Sequence, residues 1–567
     1  MVDALLSCTG KQWDTGAIMP GRVPVQSVLE ALYRSRRLDS GPATLIDPWV
    51  FPDMPAAVER IHRSMQTGEH VCIFSDYDCD GITAATMLYR MFRRRGIEPM
   101  VRLPHRVRDG YGLSAAIVQE LVHNDVHLLI TADTGIASAA EIAMLYAHGI
   151  DTIVTDHHSA PAMQPDAIIL HPALSPGYPI PYPSGAGVAY QLVRACEEAT
   201  EWEGCATDAA LAMVGTIADI VDLTGANRLI VQRGLAALRD LPASAPLRQL
   251  LASAHVQPDQ ATSTDIGFRI APRINASGRM DDPIIALRGL MGDKTAIASL
   301  ETLNRERQAE TERCLRHAAD TLPERREDMP PLIALADASF GHGIIGLIAG
   351  RLTEQTGRPS IIATIDEDMC IASLRSPAGY HITQALERHS NFLLRFGGHA
   401  QAAGCTLELQ KWNALCTALH DDVCTHMDTR KLSPTLHIDA CLEDGDISFD
   451  LLAALARMEP FGAGNPEPLF LMERAVLRNV RSVGTDGAHL QCTIGNTKAI
   501  GFRLGTYAHM CNQSLDIACR LGTDEWQGYK RPQIIIEDMR LPNASAENVC
   551  TARFRQAPNA PPSQIHP

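Results

Sequence analysis

The chain has 567 residues, more than one hydrophobic core supports, so three or four domains are expected. With 46% hydrophobic and 20% charged residues it has an ordinary globular composition, and no window holds the roughly 18 uninterrupted apolar residues of a membrane span. The formal net charge of −16 repels nucleic acid as a whole, so such a substrate would need a local basic groove. The 15 cysteines contain neither a CxxC pair nor a Cys/His cluster at zinc-finger spacing, which argues against a disulfide framework and against structural zinc. The start of the sequence, MVDALLSCTGKQWDTG, lacks a basic stretch leading into a long apolar run, so a cytoplasmic location without a membrane is expected.

Between about residues 70 and 172 one pattern repeats: a short apolar run, a polar tip, then a segment with helical periodicity. VCIF runs to Asp76, VHLLITAD to Asp133, DTIVTDHH to Asp156, His157 and His158, and DAIILHP to His171. Between them ITAATMLYRMFRRRG, SAAIVQELVHND and ASAAEIAMLYAHG read as helices, the first and third closing on glycine. Strands alternating with helices indicate an α/β domain with a parallel sheet, whose binding crevice lies at the carboxyl ends of the strands. GAGVAYQLVRACEEA and DAALAMVGTIADIVDL read as further helices, the second bringing Asp219 and Asp222 near its end. Residues 284–321 form a long helical stretch of alternating charge, expected as a solvated connector, and Pro323, Pro330 and Pro331 mark the next boundary.

From about residue 331 a smaller α/β unit is expected: the strand PLIALAD, the helix GIIGLIAGRLTEQTG, the strands PSIIAT and MCIASLRS, and a closing segment FLLRFGGHAQAAGCTLEL. After about 432 come short strands such as TLHIDACL, HLQCTIG, KAIGFRL, SLDIACRL and PQIIIEDMRL, which suggest a small β-barrel or sandwich with an OB-like module as one candidate. The final RFRQAPNAPPSQIHP is proline-rich and expected to be disordered.

The chemistry concentrates at the strand ends. Asp76, Asp78 and Asp80 stand at alternate positions, and clustered carboxylates repel unless a cation, a basic neighbour or open water separates them. An isolated DxDxD is as often a solvated turn, and TDHH taken alone is commonly a surface turn. Here an acid or histidine ends each strand in turn, and the mixed set Asp76, Asp78, Asp80, Asp133, Asp156, His157, His158 and Asp219 suits Mn²⁺, Mg²⁺ or Zn²⁺ in a binuclear hydrolase.

These residues carry a family resemblance. SDYDCDG, TADTG, TDHH and GTIADIVDL resemble the four successive motifs of the DHH phosphoesterase superfamily, and RVRDGYGL, APRINASGRM, GHGIIGLIAGRL, SLRS and FGGHAQAAG resemble its RecJ branch. The match runs in order from about residue 70 to 405, and MEPFGAGNPEPLF extends it into the C-terminal module. It implies two Mn²⁺ or Mg²⁺ ions, one on Asp78 and Asp133, the other on Asp80, Asp133, His157 and Asp219, with Asp133 as the bridge. Many relatives place a histidine where this chain has Phe74, and Asp76 is the nearest residue to compensate; Thr134 replaces a more usual Asn or Cys. Asp156 would orient a histidine through its ring N–H, and His158 would stabilise the transition state or protonate the leaving oxygen.

The resemblance also implies a grip on a 5′ phosphate by Arg106, Arg279, Ser373 and Arg375, although any one arginine alone reads as a surface salt bridge. Gly397, Gly398 and His399 would form a glycine-rich loop reaching the substrate between two lobes, or else a turn before a helix. With 5% aromatic residues, base stacking is limited to candidates such as Tyr111 and Phe461, so selection of a single strand is expected to be steric.

The expected layout is an N-terminal segment 1–45, a DHH domain 46–283, a helical connector 284–322, a DHHA1 domain 323–432, an OB-like barrel 433–545 and a tail 546–567. The implied activity is 5′→3′ hydrolysis of single-stranded DNA to nucleoside 5′-monophosphates in repair and recombination. The alternatives are a DHH phosphodiesterase for short RNA or cyclic dinucleotides, and a non-catalytic single-strand-binding replication factor. A helicase and a single-strand-binding protein are the implied partners, and a monomer is the default.

Overall fold

The computed structural model describes residues 7–15, 24–38, 44–110, 112–198, 206–323, 325, 328–428, 432–526 and 529–542. The expected tail and Tyr111 lie outside these residues. Among the described residues no helix is long and apolar enough to cross a membrane.

The first α/β domain is built on five parallel strands in the spatial order Met100–Arg102, Val71–Ser75, Leu128–Ala132, Asp151–Thr155, Ile168–Leu170. The central runs VCIFS and LLITA are buried at every position because helices cover both faces of the sheet. On one face Ile73 and Ile130 share a core with the helices Cys79–Arg93, Gly185–Glu198 and Ala206–Ala218. On the other, Cys72, Phe74 and Leu129 pack on the helices Ala115–His123 and Ala139–Ala147. The order reverses between Val71–Ser75 and Leu128–Ala132, since the second strand in sequence lies outside the first. Ligands of doubly wound sheets bind at that point.

The stretch expected as one solvated connector is two helices, Ile284–Leu290 and Lys294–Thr321. Gly292, at φ +107°, turns the chain, and the Asp293 carboxylate caps the second helix through the N–H groups of Thr295 and Ala296. It is not solvated all round: Ile297 and Leu300 join the core of the first domain, while Cys314 and Ala318 pack on the second lobe.

The second lobe is a five-stranded mixed sheet in the order Arg395–Gly398, Ala402–Glu408, Met369–Arg375, Ser360–Asp366, Ile333–Ala336. The helix Ile345–Thr356 lies against it and stops at Gly357 in the left-handed conformation. The helix Trp412–His426 follows the last strand. The C-terminal module closes into a barrel, because Phe470–Val483 pairs with both His489–Ile494 and Ser514–Trp526. Thr497–Gly501 and Tyr529–Arg540 complete the ring, an OB-type arrangement.

The beginning of the chain packs on this barrel. The helix Val25–Ser35 buries Val25, Val28, Leu29 and Leu32 in one core with Leu451 and Leu455 of the helix Phe449–Met458. Gln12–Asp14 pairs parallel with Thr435–His437. The PFGAG segment ties the barrel to the first domain through Leu223 N to Ala463 O (2.8 Å), and Arg228 donates to the Met458 carbonyl (2.9 Å).

Candidate metal centre and phosphate pocket

Strand register brings the polar tips together. Ser75, Ala132, Thr155 and Leu170 stand side by side in the parallel ladder, so the next residues, Asp76, Asp133, Asp156 and His171, form one row across four strands. The ladder continues one bond further: Asp76 N–H donates to the Ala132 carbonyl, Asp133 to Thr155 and Asp156 to Leu170. Asp133 then turns at φ +60°, a conformation that aspartate tolerates at a cost of roughly 1 kcal/mol.

Helix N-termini hold two more carboxylates. Asp78 caps the helix Cys79–Arg93, accepting from Asp80 N (3.0 Å) and Gly81 N (3.1 Å). Asp80, buried in the first turn of that helix, accepts from Gly185 N (2.7 Å) and Ala186 N (3.0 Å) at the start of another. The close approach explains two glycines: a Cβ on Gly185 would lie 2.3 Å from Asp133 Oδ1, and one on Gly215 would lie 2.5 Å from Asp80 Oδ1. Asp219 enters just beyond the C-terminal end of Ala206–Ala218. Asn275, from the helix Ala271–Met280, accepts from Cys79 N (2.9 Å) and braces the loop that carries Asp76 and Asp78.

Three donor groups overlap: Asp76, Asp78 and Asp133; Asp80, His157 and Asp219; Asp133, His157 and His158. His157 Nε2 lies 3.2 Å from Asp133 Oδ1, 3.6 Å from Asp219 Oδ2 and 4.0 Å from Asp80 Oδ2. Asp133 Oδ1 and His157 Nε2 are buried and neither has a hydrogen-bond partner among the described residues. Buried acceptors converging without a donor fit a cation.

The electrostatics agree with this fit. Burial and the Asp78 charge push Asp76 up to about 8, and the same two causes push Asp80 up to about 7. Burial and the charges of Asp80 and Asp78 push Asp219 up to about 9 and Asp133 well above the carboxylate range. Burial, with His158 nearby, pushes His157 down to about 4, leaving a neutral imidazole of the kind that binds metal. The donor set of four such carboxylates and one neutral histidine suits two divalent ions.

Asp156 is differently employed. Its carboxylate accepts from the backbone N–H groups of Ile136, His157 and His158 and from His158 Nδ1 (2.8 Å). Burial opposes ionisation, yet these bonds hold it below its usual range. For His158 burial also opposes charge, but the Asp156 contact wins and its pKa rises to about 9, so it is an imidazolium at neutral pH. His171 Nε2 meets the His158 carbonyl at 2.7 Å and fixes the backbone of the pair; its place at a strand end is the signal that marks it.

Beside the carboxylates a cavity of about 380 Å³ lies between the two lobes. Arg106, Arg279, Ser373, Arg375 and Gly397 all line it, with His342 and Arg395, which the sequence did not single out. Arg106 stacks on Tyr77 at 4.1 Å, Arg279 donates to the Gly343 carbonyl (3.0 Å), and Arg375 donates to Ser373 Oγ (3.1 Å). None of Arg106, Arg279 and Arg375 forms an ion pair among the described residues. Burial first, then repulsion from Arg106, lowers Arg375 and takes Arg279 down to about 9. Three converging guanidinium groups without a carboxylate make an anion site.

Several expectations are corrected. Gly397 and Gly398 do not form a turn before a helix: they end the strand Arg395–Gly398 of a hairpin, whose return holds His399 N to the Ala402 carbonyl (2.8 Å). His399 is exposed, outside the cavity lining, although close enough for its charge to depress His157. Asp222, read as near the end of its helix, lies beyond it: the helix ends at Ala218 and Asp222 lies against Gly464. Phe461 is half-buried against the barrel core rather than offered for stacking. Phe74 points into the apolar core on one sheet face, and Asp76 is the residue beside Asp78 and Asp133.

A parallel sheet with this donor set and a guanidinium pocket defines a metal-dependent phosphoesterase. Residues 70–216 match the DHH family N-terminal domain, residues 330–423 the DHHA1 domain, and residues 438–538 the RecJ OB domain. The chain is 32% identical to the single-stranded-DNA-specific exonuclease RecJ of Thermus thermophilus, over 86% of this chain and 71% of that protein. It is 31% identical to the Bacillus subtilis protein of the same name over 88% of this chain, and spans 64% of that protein's length. The crystal structure of Thermus thermophilus RecJ with Mn²⁺ superposes with a TM-score of 0.80 at 28% identity, covering 93% of this chain and 80% of that one. The chain belongs to the RecJ family.

Proposed function

We propose that the chain is a two-metal 5′→3′ exonuclease that hydrolyses single-stranded DNA to nucleoside 5′-monophosphates in repair and recombination. The observation that carries this reading is the position of three unpaired guanidinium groups at one cavity beside the carboxylate cluster, close enough that the Asp78 charge acts on Arg279. A terminal phosphate held there leaves the next phosphodiester beside Asp133 and His157. Asp76, Asp78 and Asp133 hold one ion, and Asp80, Asp133, His157 and Asp219 the other, with Asp133 shared. Mn²⁺ or Mg²⁺ at these positions supplies Lewis acidity toward water and the scissile phosphate.

The chain's own groups do the rest. Arg106, Arg279, Arg375 and Ser373 bind the 5′ phosphate, and Gly397 borders it from the second lobe. Asp156 keeps His158 oriented and protonated, so its Nε2–H stabilises charge on, or protonates, the departing 3′ oxygen. A second cavity of about 730 Å³ shares Arg279 with the first and runs between Lys294–Thr321 and Ile345–Thr356 to Arg503 of the barrel. Arg307, Arg351 and exposed Phe268 on its wall suit one strand with its bases unstacked. The chain acts as a cytoplasmic monomer alongside a helicase and a single-strand-binding protein.

The test is Mn²⁺-dependent digestion of single-stranded DNA labelled at either end, 5′-phosphorylated or 5′-hydroxyl, by the wild type and Asp133→Ala. Mononucleotides released from the 5′ end by the wild type alone support the reading. Strand binding without cleavage under any divalent metal removes it.

A further inference from the structure

The GHGIIG motif brings His342 to the phosphate pocket with no role yet assigned. Its turn is fixed against the first domain: a Cβ on Gly343 would lie 1.9 Å from the Arg279 carbonyl oxygen, and Arg279 donates to the Gly343 carbonyl. The helix Ile345–Thr356 starts directly after it, and His342 lines the same cavity as Arg106, Arg279, Arg375 and Arg395.

We propose that His342 is a specificity-determining contact in the pocket, an uncharged imidazole that donates a hydrogen bond from Nε2 to the terminal phosphate. This rests on the phosphate-end reading given above. Nδ1 is buried and has no hydrogen-bond partner among the described residues, so Nε2 is the ring nitrogen left to meet the cavity. A buried N–H without an acceptor is rarer than a buried lone pair without a donor, which puts the single proton on Nε2. The imidazolium is disfavoured: it would strand Nδ1–H and add a cation beside four arginines. Burial and the charges of Arg106 and Arg395 hold its pKa down against the weaker pull of Asp366.

Guanidinium groups attract any phosphate, including the diesters of the chain. A neutral donor adds little attraction for charge and much direction, so it favours the monoester end, whose three terminal oxygens offer an acceptor that a 5′-hydroxyl end lacks.

The experiment compares KM and kcat of the full chain on 5′-phosphorylated and 5′-hydroxyl oligonucleotides for the wild type, His342→Ala, His342→Gln and His342→Asn. The Gln amide nitrogen takes the place of Nε2 and the Asn amide nitrogen that of Nδ1. For the phosphorylated strand, Ala and Asn are expected to raise KM about tenfold with kcat within about twofold, and Gln to recover most of the loss. KM for the hydroxyl strand stays within about twofold throughout. Equal shifts on both substrates, or Asn rescuing as well as Gln, overturn the proposal. If the wild type discriminates ends and His342→Ala discriminates equally, only the role of His342 falls. If the wild type does not discriminate, the phosphate-end reading falls and takes this proposal with it.

Discussion

At Arg279 stability and function pull in opposite directions. Its guanidinium is half-buried, has no carboxylate partner and faces the repulsion of Arg106, Arg307 and Arg375, which with burial lowers its pKa from 12.5 to about 9. Because the folded chain holds this proton less tightly than the unfolded one, folding carries a penalty that is complete at neutral pH and fades only as the pH climbs past about 9. Taken whole, that difference amounts to about 5 kcal/mol; solvent in the cavity screens it, leaving about 2 kcal/mol. Arg279→Met keeps the unbranched stem of the side chain and removes the charge, at the loss of the bond to the Gly343 carbonyl, about 1 kcal/mol. A net gain of about 1 kcal/mol follows. In urea unfolding at pH 7 the variant is expected to have the later midpoint, while its preference for a 5′-phosphorylated end disappears. Inorganic phosphate should raise the midpoint of the wild type and leave the variant unmoved. A variant that unfolds earlier, or one that phosphate stabilises equally, refutes the reasoning and makes Arg279 a clip between the lobes.

Removal of metal should expose the carboxylates. With Asp76 at about 8, Asp80 at about 7 and Asp219 at about 9, the metal-free fold retains protons that the unfolded chain has released, so its stability falls as pH rises through 7 to 9. Thermal unfolding in EDTA should show a declining midpoint over that range, with Mn²⁺ restoring most at the alkaline end; a flat EDTA profile contradicts the assignment. Gly185→Ala forces a Cβ to within 2.3 Å of Asp133 Oδ1 and should lower Mn²⁺-dependent hydrolysis about a hundredfold, with oligonucleotide binding held within about threefold. Near-normal turnover would mean that Asp133 does not hold the ions.

The metal row was legible because each of its strands is a short apolar run ending abruptly in Asp76, Asp133, Asp156 or His171, and parallel register does the rest. The strand Met100–Arg102 was not, since three partly buried residues at a sheet edge leave no pattern. The strand Phe470–Val483, the longest of the barrel, escaped for a different reason. Its register shifts between Met472 and Ala475 and again between Arg478 and Arg481, which breaks the alternation that marks a strand. The phosphate pocket was only half legible. Arg106, Arg279 and Arg375 stand far apart in sequence and each alone resembles a surface ion pair; their shared cavity, and His342 within it, exist only once two lobes meet. The apolar face of Val25–Ser35 is visible locally, but its partner lies more than 400 residues away.

That last contact sets an order of events during synthesis. The helix Val25–Ser35 leaves the ribosome early, while the strand Tyr529–Arg540 that completes the barrel is among the last elements made. At about 5–20 residues per second the wait is roughly half a minute to a minute and a half. Through that interval Leu29 and Leu32 have no core to enter. The barrel is therefore sealed by a piece of chain made long before its strands, and a ribosome that stalls short of residue 529 leaves that helix a sticky, unsheltered surface for a chaperone to hold.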